Sequence, residues 1–156
     1  MFSNILVPVD GSEIGERSLP MAQGLAQSSG GTIHLVQVIS RDPELQAIHG
    51  GSGESIQELE INRDAARNLI ESRTTRGKEY LESLAARLQN EGIKVATVIR
   101  EGAADTNIVD YAKEQGIDLI VMSTHGHGGF RRLLLGSVTD RVIRSGAIPV
   151  LVLPAS

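Results

Sequence analysis

Residues 118–140 read DLIVMSTHGHGGFRRLLLGSVTD, in which an apolar run leads into a glycine-rich loop and then into the start of a helix. The run Leu119–Met122 carries no charge and has the length of a strand that is buried on both faces of a sheet. Gly136 and Ser137 stand where the next helix, predicted over Ser137–Ser145, begins. A strand, a loop and a helix in this order form the repeating unit of a parallel α/β sheet.

The same alternation extends over the whole chain. The other runs that predict strands are Asn4–Val9, Thr32–Ile39, Ile93–Ile99 and Pro149–Leu153, with the fourth strand at Asp118–Ser123. The other predicted helices are one that follows Ser12 and ends near Ser28, one over Asn62–Gln89, and one from Asp105 or Thr106 to Gln115. Strands joined by right-handed crossovers form a Rossmann-like open sheet with helices on both faces, so we expect one α/β domain over residues 1–156.

Three segments break the regular pattern. Pro20 stands inside the first predicted helix and is expected to kink it. The polar His34 and Gln37 indicate that the second strand is less centrally buried than the first. Arg41–Ile61 contains three glycines and no helical period, which predicts a long mobile loop beside the ligand face.

Composition narrows the classes of function. The chain has 15 basic and 19 acidic residues, a net charge of −4 and 3% aromatic residues, so nucleic acid is not an expected partner. The absence of cysteine excludes disulfides and thiol catalysis and favours the cytoplasm. The first apolar run, Ile5–Val9, is too short for a signal peptide or a membrane span, so no membrane association is expected.

Two loops at the carboxyl ends of strands contain the residues suited to ligand binding. They are Pro8–Ser12 after the first strand and Ser123–Gly129 after the fourth. Ligands of open parallel sheets bind outside the carboxyl ends of strands, at the point where the strand order reverses. We therefore expect the functional site between these loops.

The glycines of the second loop predict phosphate binding. Gly126, Gly128 and Gly129 allow the backbone to turn its amides inward, and such nests bind anions. The helix that opens at Gly136 and Ser137 adds unsatisfied amides and a partial positive charge.

Structural roles explain some of the same residues. Ser137 and Thr139 offer hydroxyl donors to a phosphate, but Ser137–Asp140 also fits a capping box in which Asp140 reaches back to the cap amide. Asp10 could contact Mg²⁺ or a ligand hydroxyl, or it could cap the first helix together with Glu13.

The spacing of these motifs resembles that of the universal stress protein family. Gly126 is followed by nine residues and then by Gly136-Ser137. Nucleotide-binding members of the family carry Gly-x-x-Gly, nine residues and Gly-Ser/Thr. The run Ile5–Ser12 also looks like the first strand and turn of the family.

The resemblance implies a five-stranded parallel sheet in the order 3-2-1-4-5, with ATP across the first and fourth strands. Asp10 would hold Mg²⁺ through the phosphates. The nucleotide-binding residues that it implies, by position, are Pro8, Asp10, Val38, Met122, Ser123, Thr124, His125, Gly126, His127, Gly128, Gly129, Gly136, Ser137, Val138 and Thr139.

One position departs from the family pattern. Ser123 stands where the first glycine of the pattern is expected, and its side chain could narrow the approach to the ribose.

His125 and His127 have no third ligand near them in sequence, so they make a poor zinc site. We expect His125 to fix the loop by hydrogen bonds and His127 to be exposed.

The family resemblance and the motifs together predict an ATP-binding stress-response protein that senses nucleotides as a homodimer. The apolar edge Ile148–Leu153 is the expected dimer interface. No catalytic role is expected, because neither the lysine phosphate loop nor the serine elbow of hydrolases is present in the sequence. The alternatives are a scaffold dimer whose nucleotide site is empty and a slow Mg²⁺-dependent ATPase.

Overall fold

A computed structural model of the protein describes residues 1–41, 56–124 and 135–154. Its five parallel strands form one sheet. The strands are β1 (Asn4–Pro8), β2 (Thr32–Ile39), β3 (Lys94–Glu101), β4 (Leu119–Ser123) and β5 (Val150–Leu153). Their order across the sheet is β3-β2-β1-β4-β5. The predicted fold class and strand order are confirmed, the bounds of β2 are as predicted, and the ends of the other strands lie within two residues of the predicted ones.

Helices cover both faces of this sheet. They are α1 (Glu13–Glu16), α2 (Leu19–Ser29), α3 (Ile56–Asn90), α4 (Ala104–Glu114) and α5 (Ser137–Arg144). On one face, α2 and α3 bury a core that includes Val7, Leu35 and Leu81. On the other face, α4 and α5 bury a core that includes Leu6 and Ile108. Neighbouring strand residues serve opposite cores because side chains alternate along a strand.

The first predicted helix is two helices. α1 ends at Glu16, and α2 begins at Leu19 with Pro20 in its first turn. A proline in the first turn of a helix removes only an amide that has no partner within the helix. The predicted kink at Pro20 is therefore wrong, since the proline starts a helix.

Two helix starts also differ from the predictions. α3 begins at Ile56, so the last residues of the predicted loop Arg41–Ile61 are helical, while residues 42–55 lie outside the described residues. Ala103 is the N-cap of α4, so Asp105 and Thr106 both lie within the helix and neither caps it. Among the helices of the described ranges, none is apolar over enough of its length to cross a bilayer.

The register of the sheet opens a gap between β1 and β4. β1 pairs with β2 over Asn4–Pro8, but it pairs with β4 only at Ile5 and Leu6. The amide of Val9 donates to β2, so the nitrogen of the preceding residue, Pro8, faces β4. Because proline has no N–H, it cannot continue the ladder on that side. The two strands therefore separate at their carboxyl ends, where the strand order reverses.

Candidate functional site

A pocket of about 180 Å³ lies in this gap, at the carboxyl ends of β1, β2 and β4 and beside the first turns of α4 and α5. Predicted site residues that line it are Pro8, Asp10, Val38, Met122, Ser123, Gly136, Ser137, Val138 and Thr139. Residues that the sequence did not predict and that also line it are Val9, Gly15, Val36, Ala104 and Ile108.

One wall of the pocket is apolar. Val36 and Val38 lie on the same face of β2, and Ile108 of α4 and Met122 of β4 line the pocket with them. This wall continues the core beneath α4 and α5 up to the surface. A pocket lined mainly by apolar side chains, with a few polar groups at one end, is typical of sites for small organic ligands.

The turn after β1 holds the Asp10 side chain in a fixed position. Asp10 Oδ1 accepts hydrogen bonds from the amide of Ser12 at 2.9 Å and from the Ser12 hydroxyl at 2.5 Å. The hydroxyl of Ser12 in turn accepts from the amide of Gly15 at 3.2 Å, so Ser12 is the N-cap of α1. Asp10 therefore does not cap the helix itself, and the helix-cap interpretation of Asp10 is wrong.

Close packing at Gly15 supports the same position of the carboxylate. A Cβ atom added to Gly15 would lie 2.9 Å from Asp10 Oδ1. Gly11 has φ +85°, a conformation that side chains rarely adopt, so the turn also needs glycine there. The chain thus brings the Asp10 carboxylate to the rim of the pocket by specific local contacts.

The N-terminus of α5 forms the polar end of the pocket. Gly136 is the N-cap, and no side chain of the described residues makes a capping hydrogen bond to this helix. Asp140 pairs with Arg144, whose Nε lies 2.9 Å from Asp140 Oδ2, so the predicted capping box is wrong. The amides of Ser137, Val138 and Thr139 belong to the first turn, where they have no acceptor within the helix. This end of the pocket is suited to an anion.

Two polar residues at the carboxyl end of β4 lie in different environments. Ser123 lines the pocket, and its hydroxyl is buried and has no hydrogen-bond partner among the described residues. Thr124 does not line the pocket; it is 3% exposed, and its amide donates to the carbonyl of Leu153 at 2.9 Å. The predictions for His125, Gly126, His127, Gly128 and Gly129 lie outside the described residues.

No group of three or more metal-ligating side chains is present within the described ranges. Asp10 alone among the predicted site residues has a carboxylate. A divalent cation at this rim would need most of its ligands from phosphate oxygens and water, which is the usual coordination of Mg²⁺ beside nucleotides. The prediction of Mg²⁺ at Asp10 stays a prediction.

Two of the missed residues had a signal in the sequence. Val36 precedes Val38 by two residues, so the period of a strand places both side chains on one face. Ile108 follows Ala104 by four residues and lies on the same face of α4. No comparable signal marks Gly15 in the sequence, because its contact with Asp10 depends on the local turn.

The fold and the pocket define a parallel α/β domain with a pocket at the switch point between β1 and β4. The profile of the universal stress protein family matches residues 1–154, so the chain belongs to this family. The universal stress protein MJ0531 of Methanocaldococcus jannaschii is 32% identical over 152 residues, which cover 97% of this chain and 82% of that protein.

Solved structures share the fold. The structure of MJ0577, also from Methanocaldococcus jannaschii, superposes with a TM-score of 0.79 at 28% identity and covers 99% of this chain and 96% of that chain. A universal stress protein family protein from Arabidopsis thaliana, solved with AMP bound, superposes with a TM-score of 0.65 and covers 97% of this chain and 91% of its own. At 18% identity, this second likeness concerns the fold alone.

Proposed function

We propose that this protein binds ATP with Mg²⁺ in the pocket between β1 and β4 and acts as a nucleotide-sensing regulatory module. The observation that carries the proposal is that an apolar wall and an uncapped helix N-terminus face the same pocket. A nucleotide has a flat apolar base at one end and an anionic phosphate chain at the other. The two ends of the pocket match these two parts.

The base fits the wall formed by Val36, Val38 and Met122. Burial of a heterocycle there removes apolar surface from water on both sides of the contact. The phosphates fit the first turn of α5, where Ser137 and Thr139 add hydroxyl donors to the backbone amides. Asp10 lies at the rim, where a Mg²⁺ ion held by the phosphates would neutralise its charge. That a protein of this fold holds AMP is consistent with the proposal.

The test is a calorimetric titration of Mg-ATP into the full chain and into two variants of Ser137. Ser137→Asp keeps a residue that favours the first turn of a helix but places a negative charge beside the phosphates. We expect its affinity for Mg-ATP to fall by about tenfold or more, since about 1.4 kcal/mol of repulsion changes an equilibrium constant tenfold. The control Ser137→Asn is neutral and is expected to stay within about threefold of the wild type.

Equal affinities of the Ser137→Asp and Ser137→Asn proteins would contradict this placement of the phosphates. A wild-type protein that binds no Mg-ATP would favour the scaffold alternative. The proposal assigns no catalytic residue, so we expect no phosphate release above that of a protein-free control. Release that saturates with ATP would instead support the slow ATPase.

We also propose that the protein works as a homodimer that pairs through β5. β5 is an edge strand whose four residues, Val150–Leu153, are all only partly buried. An apolar edge strand with an open side favours pairing with a second copy.

Light scattering after gel filtration tests this, with Val152→Lys expected to give a monomer. The control Thr97→Lys places the same charge on the opposite edge strand, β3, and is expected to leave the dimer intact. A wild-type monomer at micromolar concentration would contradict the proposal.

A further inference from the structure

A second pocket, of about 380 Å³, lies on the opposite face of the sheet, between the carboxyl end of β2 and α3. Asp10 and Val38 border both pockets, but the other side chains differ. The polar and charged residues that line the second pocket are Asp10, Gln37, Ser40, Arg73, Arg76 and Tyr80. It therefore differs from the nucleotide pocket in its chemistry, because its lining has two guanidinium groups and shares only Val38 with the apolar wall of that pocket.

Strand alternation explains why β2 serves both pockets. Val36 and Val38 point toward α4, so Gln37 between them points toward α3. Gly77 of α3 is buried there, and a Cβ atom added to it would lie 3.0 Å from Gln37 Oε1. The absence of a side chain at Gly77 lets the helix approach the strand closely above this amide.

Two polar atoms at the base of the pocket lack partners. Gln37 Oε1 and the Tyr80 hydroxyl are buried and make no hydrogen bond to any described residue. Burial, and then the negative charges of Glu16 and Asp10, raise the pKa of Tyr80, so its hydroxyl keeps its proton. Glu16 also raises this pKa as a nearby acceptor of the hydroxyl, although the two groups do not meet the geometry of a hydrogen bond. Buried polar groups without partners are unusual in folded proteins and indicate a missing water or ligand.

The two arginines define the charge of the pocket. Arg73 and Arg76 are three residues apart on α3, so their side chains lie on neighbouring positions of one helix face. Arg73 is partly buried and Arg76 is exposed. Guanidinium groups bind oxyanions through paired hydrogen bonds, and two of them match the double charge of a phosphate monoester. Asp10 is the one acidic residue among the lining residues described.

We propose that this pocket binds a small phosphate monoester that also carries hydroxyl groups. Arg73 and Arg76 bind the phosphate at the mouth. Deeper in the pocket, Gln37 Oε1 accepts a hydrogen bond from a ligand hydroxyl, and the Tyr80 hydroxyl donates one to a ligand oxygen. The inference does not depend on the nucleotide site, because its residues, apart from Asp10 and Val38, are separate from those of that site.

The test is a titration of the isotope-labelled full chain with glycerol 3-phosphate, followed by nuclear magnetic resonance. We expect the side-chain amide signals of Gln37 and the ring signals of Tyr80 to shift with a saturating curve. Inorganic phosphate should shift the amides of Arg73 and Arg76 more than the Gln37 side chain, and glycerol alone should shift neither. This separates phosphate recognition at the mouth from hydroxyl recognition at the base.

Two variants with one charge change each make the test specific. Arg76→Gln is expected to weaken glycerol 3-phosphate binding by about tenfold, as the loss of a charge-assisted hydrogen bond predicts. Lys78→Gln removes the same charge two residues along α3, outside this pocket, and is expected to change affinity by less than about twofold. Tyr80→Phe removes only the hydroxyl and is expected to weaken binding of glycerol 3-phosphate but not of inorganic phosphate.

Three outcomes would overturn the proposal. Equal losses in the Arg76→Gln and Lys78→Gln proteins would show a general effect of charge. Shifts confined to the first turn of α5 would place the phosphate in the nucleotide pocket. An unchanged spectrum at 20 mM ligand, on the order of the concentrations at which weak sites saturate, would indicate that only water contacts Gln37 Oε1 and the Tyr80 hydroxyl. Since Ser137→Asp is expected to leave this titration unchanged, failure here is distinguishable from failure of the nucleotide proposal.

Discussion

Two glycine-to-alanine variants test whether the turn at Asp10 links stability to ligand binding. Gly24 is exposed within α2, and a Cβ atom added there would meet no atom within 4 Å. Gly15 lies within α1, where the same atom would be 2.9 Å from Asp10 Oδ1. Both substitutions replace glycine by the residue that most favours helix, so the local contact is the main difference between them.

The magnitudes follow from these contacts. Gly24→Ala should stabilise the protein by about 0.5–1 kcal/mol, which raises Tm by roughly 1–4 °C in a domain of this size. In Gly15→Ala, Asp10 Oδ1 must retreat by about half an ångström to reach ordinary contact, which weakens both hydrogen bonds from Ser12. Each such bond contributes about 1 kcal/mol or less at an exposed site, so the loss offsets the helix gain and leaves stability nearly unchanged.

Ligand binding should separate the two variants further. Because Gly15→Ala moves the carboxylate at the rim of the nucleotide pocket, we expect it to weaken Mg-ATP binding by about threefold to tenfold. Gly24→Ala should bind as the wild type does. Urea denaturation measures the stabilities, and calorimetric titration measures the affinities. If Gly15→Ala were stabilised as much as Gly24→Ala and bound Mg-ATP normally, the contact between Gly15 and Asp10 would have no energetic role, and the reasoning would be refuted.

Two further predictions concern stability. The ring nitrogens of His34 contact the Tyr111 hydroxyl at 2.9 Å and Asn4 Oδ1 at 3.2 Å. Burial lowers the pKa of His34, so the unfolded chain binds a proton more readily than the native one. The contribution of His34 to the free energy of unfolding should therefore be fully present above pH 7 and should fall as the pH drops through 6.5 toward the lowered pKa. Urea denaturation at pH 7.5 and 5.5 measures this dependence, and His34→Gln should remove this part of it. Gly31→Ala would place a Cβ atom 2.7 Å from the backbone oxygen of Phe2. We expect the free energy of unfolding to fall by about 1–3 kcal/mol in the same assay. An unchanged free energy of unfolding would contradict the tight packing there.

The strands of the sheet could be predicted because the sequence marks them clearly, whereas their order was implied by the family resemblance. β1 and β4 are uncharged runs that lead into segments containing glycine, and their burial on both faces requires such runs. The start of α3 could not be predicted by the same logic. Its first part has no fully buried side chain among those described before Gly77, so no apolar stripe marks residues 56–61 as helical. A helical period appears only where a helix face is covered.

The N-terminus of α5 shows a different limit. The run Ser137–Asp140 fits both a capping box and an anion site, and the two require different partners for Asp140. Arg144 lies one turn further along the same face, and in the folded chain it pairs with Asp140 in the i,i+4 arrangement. Both possible partners of Asp140 are local, so sequence spacing alone does not choose between them. The pairing with Arg144 leaves the first-turn amides for a ligand.

The polar residues of β2 predicted a strand less centrally buried than β1, and the sheet order agrees, since β1 is its middle strand. β2 lies inside the sheet between β1 and β3, and His34 is 7% exposed. His34 contacts Tyr111 across the interface with α4, while Gln37 lies beneath α3 on the other face. A polar residue in an interior strand is stable only where a specific group receives it. His34 has such partners within the described chain, whereas Gln37 Oε1 has none there, and this difference is the physical reason to seek a ligand beside Gln37.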